Sequence, residues 1–503
     1  MKYVFLAIFI VFLLFSGFIN IRRTKTAQDF FIGGRKVGPW MSAFAYGTTY
    51  FSAVIFIGFA GSIGWGHGYA GLWIAIGNAF IGCMLAWWLL ARRTREMTAR
   101  LNAMTMPEFL KQRYDSPGMK YFAAFIIFVF LVPYSASVYT GLSYLFESVF
   151  NIPFIYATIG MALLTAAFLM MGGYFAVVLT DFFMGIVMII GVTVMLYFIY
   201  GHEKVGGLAN GISQLHEIDP GLTSIVGPPG WLSIMSLMLL TSLGPWALPQ
   251  MVQKFYAIKD ASVVRAATIV TTLFALFISV ATFATGAVSR LFLDNTMPVD
   301  ASGAANPDMI IPLVVTTVLP EIVVALILLL ILSASLSTLS SLVLVSSSSI
   351  AIDFLGSVFP DMSRKRQLAY LRLLCLFFIL ISLFITIAKP TFILQLMSLS
   401  WGTVAGAFLA PYLYGLFWRK TTKIAAWVGA ICGMSISIIL NLYGGKYGIT
   451  SPMAGSLAML VPLLIVPIVS LLTQPLPMET VERAFADNDQ DSTIPNGKQA
   501  TIH

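Results

Sequence analysis

The sequence predicts an all-α polytopic membrane protein, and two observations support this prediction. Hydrophobic residues make up 58% and charged residues 10% of the 503 residues, and the mean hydropathy is +0.89, which excludes the soluble globular class. Apolar runs of about 18 residues or more, enough to cross roughly 30 Å of hydrocarbon, recur along nearly the whole chain. Segments of this kind cross lipid as helices. No room remains for a soluble catalytic or nucleic-acid-binding domain.

Thirteen apolar segments are predicted to span the membrane. In chain order they are 3–19, 40–64, 71–91, 120–149, 154–171, 174–200, 231–255, 263–292, 321–352, 367–388, 392–416, 422–443 and 453–473. Arg22, Arg23 and Lys25 follow the first segment at once. A signal peptide carries its charges before the apolar run, so we expect an uncleaved helix. The polar, acidic segment 474–503 is expected to be a disordered cytoplasmic tail.

The positive charges indicate the orientation of these spans. With the segments above, 24 of the 29 Lys and Arg residues lie on one side of the membrane. An excess of Lys and Arg marks the cytoplasmic side. We therefore expect the N-terminus outside and the C-terminus in the cytoplasm, with Lys254 in a cytoplasmic segment.

The segment Leu332–Ile350 is apolar enough for a membrane helix, yet it carries hydroxyl groups at almost every second position. On a helix, one face collects Ala334, Ser337, Thr338 and Ser341. Such a stripe can hold a small hard cation, because neutral oxygen ligands replace the water shell at modest desolvation cost. The alternative is that small residues let helices pack closely, with each hydroxyl bonded to its own helix.

Two further features point to an ion pathway. The segment Gly47–Ala53 is small and polar, which indicates either a helix break, tolerated in membrane proteins only beside a cavity, or an ordinary packing face. Asp181 lies one or two turns into a span, where a carboxylate requires a cation, a proton or a polar partner. No Lys or Arg is expected at comparable depth. Asp181 is thus a candidate ion or proton site, with a structural carboxylate bonded to hydroxyls as the alternative.

Other kinds of chemistry lack support in the sequence. The four histidines fall in predicted loops or the tail, and three cysteines lie in apolar spans without metal-ligand spacing, namely Cys83, Cys375 and Cys432. Nothing matches a metal cluster, a nucleophile with its base or a phosphate-binding loop, so we do not expect an enzyme. A channel would show a charged ring or a repeated filter sequence. A carrier of small solutes is the remaining prediction.

Three motifs resemble those of the sodium:solute symporter family in order and spacing. They are Gly33-Gly-Arg35, the run from Gly172 to Asp181 and the run from Ala334 to Ser340, and the similarity extends from about residue 25 to 475. The segment Gly244–Phe255 is similar to the sixth core helix of the bacterial amino-acid, pantothenate and monocarboxylate branches. The resemblance implies sodium-coupled symport by alternating access in the cell membrane.

The resemblance also implies a LeuT-like fold of two inverted five-helix repeats. These would cover 40–200 and 231–416 within a single transmembrane domain, 1–473, with one helix (3–19) before them and two (422–473) after. A sodium site is implied between the first and eighth core helices, formed by backbone carbonyls of Thr48, Phe51 and Ala334 and the hydroxyls of Ser337 and Thr338. Some members bind a second sodium, and the matching positions are Asp181, Ser337, Ser340 and Ser341.

We expect the solute where polar and aromatic side chains from several spans meet the predicted helix breaks. These residues are Thr49, Tyr50, Ser52, Trp73, Asn78, Tyr134, Thr241, Ser242, Trp246, Gln250 and Trp401. Tyr134 matches the third-helix tyrosine of the family's proline carriers. Those carriers have an acidic residue and a Trp in the first core helix and an aromatic pair in the sixth. This chain has Tyr50, Val54, Thr241 and Pro245 there, which disfavours proline and leaves an amino acid, a monocarboxylate or a similar solute.

The expected partners are the solute, sodium and membrane lipid, without nucleic acid, and the expected functional unit is a monomer. Two alternatives remain open. A proton-coupled carrier of the same fold would use Asp181 as its proton site. A membrane sensor with a transporter-like core is also conceivable, although no output domain follows residue 473.

Overall fold

The computed structural model describes residues 2–20, 31, 37–300, 303–359, 361–389 and 391–485. Within these ranges the protein is almost entirely helical and has no β-strand, only two isolated bridges. The helices are α1 (Lys2–Asn20), α2 (Pro39–Tyr50), α3 (π-helical Val54–Phe59, then Ala60–His67), α4 (Leu72–Gly77, π-helical Asn78–Ala91, then Arg92–Arg100), α5 (Met106–Tyr114), α6 (Pro117–Phe150), α7 (Phe154–Gly201), α8 (Leu208–Ile218), α9 (Trp231–Leu243), α10 (Pro249–Ala257), α11 (Ser262–Phe292), α12 (Ile310–Val318), α13 (Glu321–Ser348, continued by π-helical Ser349–Leu355 and by Gly356–Val358), α14 (Arg364–Ala388), α15 (Ile393–Phe417), α16 (Lys423–Tyr443), α17 (Ser451–Leu472) and α18 (Met478–Phe485). The all-α prediction is confirmed.

Nine helices in the described ranges are long and apolar enough to cross a membrane, or ten if the bent pair α9 and α10 forms one span. The predicted count of thirteen is not confirmed. The first predicted span corresponds to α1, and the fifth and sixth lie in one continuous helix, α7. The second and third share one stretch, Val54–Arg100, which departs from helical geometry at Gly68 with φ +56° and ψ −135°, a conformation that favours glycine.

The second predicted span is broken inside the molecule. Phe51 follows α2 with an extended backbone (φ −108°, ψ 127°), and helical structure resumes at Val54. The freed N–H of Ala53 donates to the Ser335 hydroxyl of α13 at 2.9 Å. A neighbouring helix therefore replaces the lost intrahelical bond, as a membrane interior requires. The break predicted from the small and polar residues of this segment is confirmed.

A second break separates α9 from α10 and bends the pair by 40°. Leu248 has an extended backbone (φ −68°, ψ 121°), as expected for the residue before a proline. Pro249 then opens α10, where a missing N–H is harmless. All nine residues of α10 are buried, so the chain stays inside the protein at its end. The sequence predicts that Lys254 lies in a cytoplasmic segment at the end of the span 231–255, whereas the structure buries this residue inside the protein.

Helix α13 lies in the centre of the described structure. Almost every residue from Val323 to Ser348 is buried, including the hydroxyl-bearing ones. The helix packs against α2, α6, α7 and α14. The serine-rich segment therefore faces other helices on all sides, where small and hydroxylated residues permit close approach.

Helices α3 and α11 touch backbone to backbone. A Cβ atom added to Gly64 would lie 2.2 Å from the carbonyl carbon of Gly286, and one added to Gly286 would lie 2.1 Å from the carbonyl oxygen of Ala60. Glycine at an interface lets two membrane helices approach this closely. These two glycines therefore set the spacing between α3 and α11.

We expect Gly286→Ala to destabilise the protein by about 1–3 kcal/mol, because the added methyl group meets main-chain atoms that cannot turn away. Gly160 is the matched control: it lies in α7 with nothing within 4 Å of an added Cβ. Gly160→Ala should instead stabilise by up to about 1 kcal/mol through helix propensity. Thermal unfolding of both purified variants in one detergent measures the difference. Equal midpoints for the two variants would contradict the close contact.

A buried charged cluster joins α5, α6 and the last turns of α13. We call it the Lys120 cluster, and it consists of Thr105, Glu108, Lys120 and Asp353. The Lys120 Nζ atom lies 3.6 Å from Asp353 Oδ1 and 3.7 Å from Glu108 Oε1. Thr105 donates to the same Asp353 oxygen at 2.7 Å. The ammonium group of Lys120 is thus the shared ion-pair partner of two carboxylates, of which Asp353 is fully buried.

The end of the described chain folds back onto the helices before it. In α18, Val481 and Ala484 are buried, and Arg483 donates to the Gln112 carbonyl at 3.2 Å. The expectation of a disordered tail is therefore wrong for residues 478–485, because an amphipathic helix finds a packing surface on α5. Residues 486–503 lie outside the described residues.

Candidate cation and solute site

The hydroxyl-bearing face of α13 lies against the break between α2 and α3. Ser337 Oγ donates to Thr48 Oγ1 at 3.0 Å, and Thr338 Oγ1 donates to the Thr49 carbonyl oxygen at 3.0 Å. Thr338 also lies 3.1 Å from the Ala334 carbonyl oxygen of its own helix. Two hydroxyls therefore contact another helix, and bonding within the helix alone does not account for the stripe.

The residues implied as ligands of the first sodium site therefore lie close together. Thr48, Ala334, Ser337 and Thr338 are linked by the hydrogen bonds above, and Phe51 stands at the break itself. All five residues are buried. Their hydroxyl and carbonyl oxygens carry no net charge, and oxygen atoms of this kind suit a small hard cation. The described part of the chain gathers no three His, Cys, Asp or Glu residues that could hold a metal ion.

A chain of hydroxyls leads from this group to a buried lysine. Thr49 Oγ1 lies 3.4 Å from Ser337 Oγ and 3.3 Å from Ser341 Oγ. Lys254 Nζ donates to Ser341 Oγ at 3.1 Å. Because each hydroxyl both donates and accepts, a change at one end can alter the bonding at the other.

The expectation that Asp181 has no cation at its depth is wrong. Lys254 Nζ lies 3.9 Å from Asp181 Oδ2, and the two side chains are 1% and 0% exposed. The ammonium also lies 5.1 Å from the centre of the Tyr174 ring. Neither Asp181 oxygen has a hydrogen bond of good geometry from a described residue, although the Ser337 hydroxyl is close enough to interact with the carboxylate. The ion pair is therefore loose in geometry although it is deeply buried.

The buried position of Lys254 differs from the expectation for a physical reason. A lysine near the end of an apolar run is ordinarily placed at the membrane surface, because its long side chain can reach water there. Here the helix starts again at Pro249 and carries Lys254 back into the protein. The two prolines at 245 and 249 were the available signal for this break.

The implied second cation site lies beside this pair. Ser341 already accepts the hydrogen bond from Lys254. The Ser340 hydroxyl is buried and has no hydrogen-bond partner among the described residues. Of the three implied ligands, Asp181 and Ser341 therefore have the ammonium group of Lys254 beside them.

The aromatic and polar residues expected to bind the solute meet near the same two breaks. The Tyr50 hydroxyl donates to the Thr241 carbonyl at 2.6 Å and lies 3.0 Å from Asn78 Oδ1. The Trp401 ring stacks 6.3 Å from the Tyr50 ring and meets the Tyr134 ring edge-on at 5.5 Å. These contacts join α2, α4, α6, α9 and α15.

Two buried polar atoms in this region have no hydrogen-bond partner among the described residues, Ser242 Oγ and Gln250 Oε1. Trp246 differs, since its Nε1 donates to the Ile81 carbonyl at 2.9 Å. Ser52 accepts from the Val54 N–H at 3.2 Å, and the side chains of Ser52 and Trp401 both interact with the Tyr134 hydroxyl. Buried polar atoms without partners are unfavourable unless a ligand or water satisfies them, so they are consistent with solute binding.

Trp73 is not brought to this group. It is 36% exposed, donates to the Ile225 carbonyl at 3.0 Å and packs against Trp231. Trp73 precedes Asn78 by five residues, which places the two side chains about 140° apart around a helix. Since Asn78 faces the interior, Trp73 faces away from it.

A family profile described as the Sodium:solute symporter family matches residues 30–433. The chain is 27% identical to the high-affinity proline transporter PutP of Bacillus subtilis (strain 168), over 96% of this chain and 100% of that protein. It is 25% identical to the sodium/pantothenate symporter of Haemophilus influenzae, over 85% of this chain and 88% of that protein.

Two solved structures share the fold. A Na+-coupled sialic acid symporter in a substrate-bound, outward-open state has a TM-score of 0.77 at 19% identity, over 94% of this chain and 98% of that one. The nucleobase-cation-symport-1 family transporter Mhp1, in a closed conformation with bromovinylhydantoin, has a TM-score of 0.51 at 15% identity, over 90% and 97%. These likenesses confirm the predicted LeuT-like fold class.

Proposed function

This chain belongs to the sodium:solute symporter family, and from that premise we propose that it carries a small organic solute into the cell together with sodium. The observation that supports this most is the contact of Ser337 and Thr338 with the α2–α3 break. Neutral oxygens from two separate helices converge there. A bound monovalent cation would link the two helices, with hydroxyl and carbonyl oxygens replacing its water.

Such a link gives sodium a way to drive transport. The proposed ligands are Thr48, Phe51, Ala334, Ser337 and Thr338. A cation held by both α13 and the α2–α3 break binds best when the two are close, so it favours the conformation in which they are. Differential binding of this kind shifts the population toward one state of the alternating-access cycle. The sodium gradient would then provide the driving force for uptake.

We place the solute among the residues around Tyr50 and Trp401. The proposed contacts are Thr49, Tyr50, Ser52, Asn78, Tyr134, Thr241, Ser242, Trp246, Gln250 and Trp401. Stacked aromatic rings with a few unpartnered polar atoms are typical of sites for small organic molecules. Relatives are named for proline and pantothenate. For this chain we propose an amino acid, a monocarboxylate or a similar small solute.

The proposed architecture follows the expectation from the sequence. The two inverted repeats would be 40–200 and 231–416 in one transmembrane domain, with the N-terminus outside and the C-terminus in the cytoplasm. The protein would act as a monomer in the cell membrane, in contact with lipid. The multi-pass character itself follows from its long apolar helices and its family.

Uptake by the purified protein in liposomes tests the function. We expect accumulation of at least one amino acid or short carboxylate when a sodium gradient is imposed, and little uptake in sodium-free buffer at any pH. A proton-coupled carrier would instead accumulate solute under a pH gradient without sodium. That result would refute sodium coupling and favour Asp181 as a proton site.

Labelling of a cysteine at position 242 tests the location of the solute site. Ser242 is buried, and its hydroxyl has no partner in the described part of the chain, so a thiol there should react only when the pathway opens. In a background without Cys83, Cys375 and Cys432, we expect the transported solute to slow labelling of Ser242→Cys severalfold in sodium and not in its absence. Tyr134→Cys should behave in the same way.

The control is Ser224→Cys, in an exposed loop, whose labelling rate should not respond to solute or sodium. If Ser242→Cys and Tyr134→Cys are labelled at the same rate under all conditions, the solute binds elsewhere.

A further inference from the structure

We propose that the ammonium group of Lys254 takes the place of a second sodium ion, so that this carrier moves one sodium per solute molecule. The proposal rests on the proposed function and specifies its ion stoichiometry. It concerns the group formed by Asp181, Ser340 and Ser341, which the family resemblance associates with a second sodium in some members.

The ammonium already contacts two of the residues that a second sodium would use, Asp181 and Ser341. Lys254 Nζ donates to Ser341 Oγ at 3.1 Å and lies 3.9 Å from Asp181 Oδ2. The face of the Tyr174 ring, 5.1 Å from Nζ, adds a further attraction for a cation. A lysine ammonium and a sodium ion both carry one positive charge, and both are attracted to a carboxylate and a hydroxyl oxygen.

The charge balance favours one cation over two. Asp181 and Lys254 are almost completely buried, and together they are neutral. A sodium ion added beside them would give the site a net positive charge in surroundings that screen charge poorly. No other acidic side chain is within 4.0 Å of Lys254 among the described residues. The site is therefore balanced as it stands and would become unbalanced with sodium.

The pair is also connected to the first sodium site. Ser341, the acceptor of Lys254, lies 3.3 Å from Thr49 Oγ1, which lies 3.4 Å from Ser337 Oγ. A purely structural ion pair would not need this connection. Because the ammonium group of Lys254 is covalently attached to α10, its positive charge stays with the protein during the transport cycle. A sodium ion at the same place would be released into the cell.

The stoichiometry of the unaltered protein is the first test. In proteoliposomes held at zero membrane potential, the solute gradient that stops net flux against a known sodium gradient gives the sodium-to-solute ratio, whatever the charge of the solute. We expect a ratio of about one. A ratio of two with sodium-driven uptake overturns this inference and leaves the proposed function standing. Uptake that does not depend on sodium overturns the proposed function itself.

Replacing the lysine is the second test. Lys254→Met keeps the length of the side chain and removes its charge, which leaves Asp181 free to bind a cation. We expect the Hill coefficient for sodium to rise from about one to about two. Adding Asp181→Asn to Lys254→Met should return it to about one, and Lys254→Arg should leave it near one. A folded, active Lys254→Met protein with a Hill coefficient of one contradicts the proposal.

If Lys254→Met folds without transporting, sodium binding to the purified variant replaces uptake as the readout. Thermal stabilisation by a ligand that binds only the folded state grows with the logarithm of its concentration for each site. We expect the limiting slope with sodium to be about twice that of the unaltered protein. An unchanged slope overturns the inference. If the variant does not fold, the sodium-to-solute ratio of the unaltered protein decides alone.

Discussion

Thr338→Ala is expected to raise the sodium concentration for half-maximal uptake about tenfold or more. Thr338 Oγ1 contacts oxygens on both sides of the proposed site, the Thr49 carbonyl at 3.0 Å and the Ala334 carbonyl at 3.1 Å. Loss of one oxygen ligand to a cation should cost about 1.5–3 kcal/mol, and 1.4 kcal/mol corresponds to about a factor of ten in affinity. Initial uptake rates at increasing sodium and fixed solute measure the change.

Two controls separate ligand loss from general damage. Thr338→Ser retains the hydroxyl and should stay within about threefold of the unaltered protein. Ser346→Ala removes a fully buried hydroxyl from the same helix that, unlike Thr338, has no hydrogen-bond partner among the described residues, and it should leave sodium dependence unchanged. If Thr338→Ala and Ser346→Ala show the same sodium dependence, the stripe on α13 does not bind sodium.

Lys120→Met is expected to destabilise the protein by about 3–5 kcal/mol, because removal of one partner leaves an uncompensated buried charge. Asp353 has no exposed surface, and one of its oxygens already lacks a hydrogen bond from the described residues. Without Lys120, its side chain retains among those residues the Thr105 hydroxyl, at 2.7 Å, and it still has Glu108 nearby. We expect a much lower unfolding midpoint in detergent and a small yield of monodisperse protein.

The double variant Lys120→Met with Asp353→Asn shows whether charge is the cause. It removes the two most deeply buried charges and leaves Glu108, which is 19% exposed, so it should recover most of the lost stability. Lys120→Arg keeps the charge and should have a small effect. Full stability of Lys120→Met alone would mean that the Lys120 cluster does not hold α5, α6 and α13 together.

The elements that the sequence predicts well are those set by local composition. Apolar runs give helices because the backbone has no other partner in lipid, and small polar residues before Val54 mark a real break. The three-residue and four-residue spacing of the α13 hydroxyls predicts a shared face, and the contacts of Ser337 and Thr338 with α2 agree with it.

What the sequence does not give depends on contacts between distant segments. Asp181 pairs with Lys254 because α10 turns inward after Pro249. Hydropathy does not predict this turn, since it places a lysine at the end of an apolar run outside the membrane. Trp73 looks like a ligand by type but lies on the outer side of its helix. The span count also depends on where a long helical stretch turns, as Val54–Arg100 does at Gly68.

The backbone contact between α3 and α11 provides a reference distance for spectroscopy. Because Gly64 and Gly286 have no side chains between the two backbones, the helices cannot shift by repacking side chains at this contact. We therefore expect α3 and α11 to move as one rigid unit. Spin labels at Gly66, where an added Cβ meets nothing within 4 Å, and at Val280, which is 37% exposed, should therefore keep a constant separation. Distances measured elsewhere during turnover can be calibrated against that pair.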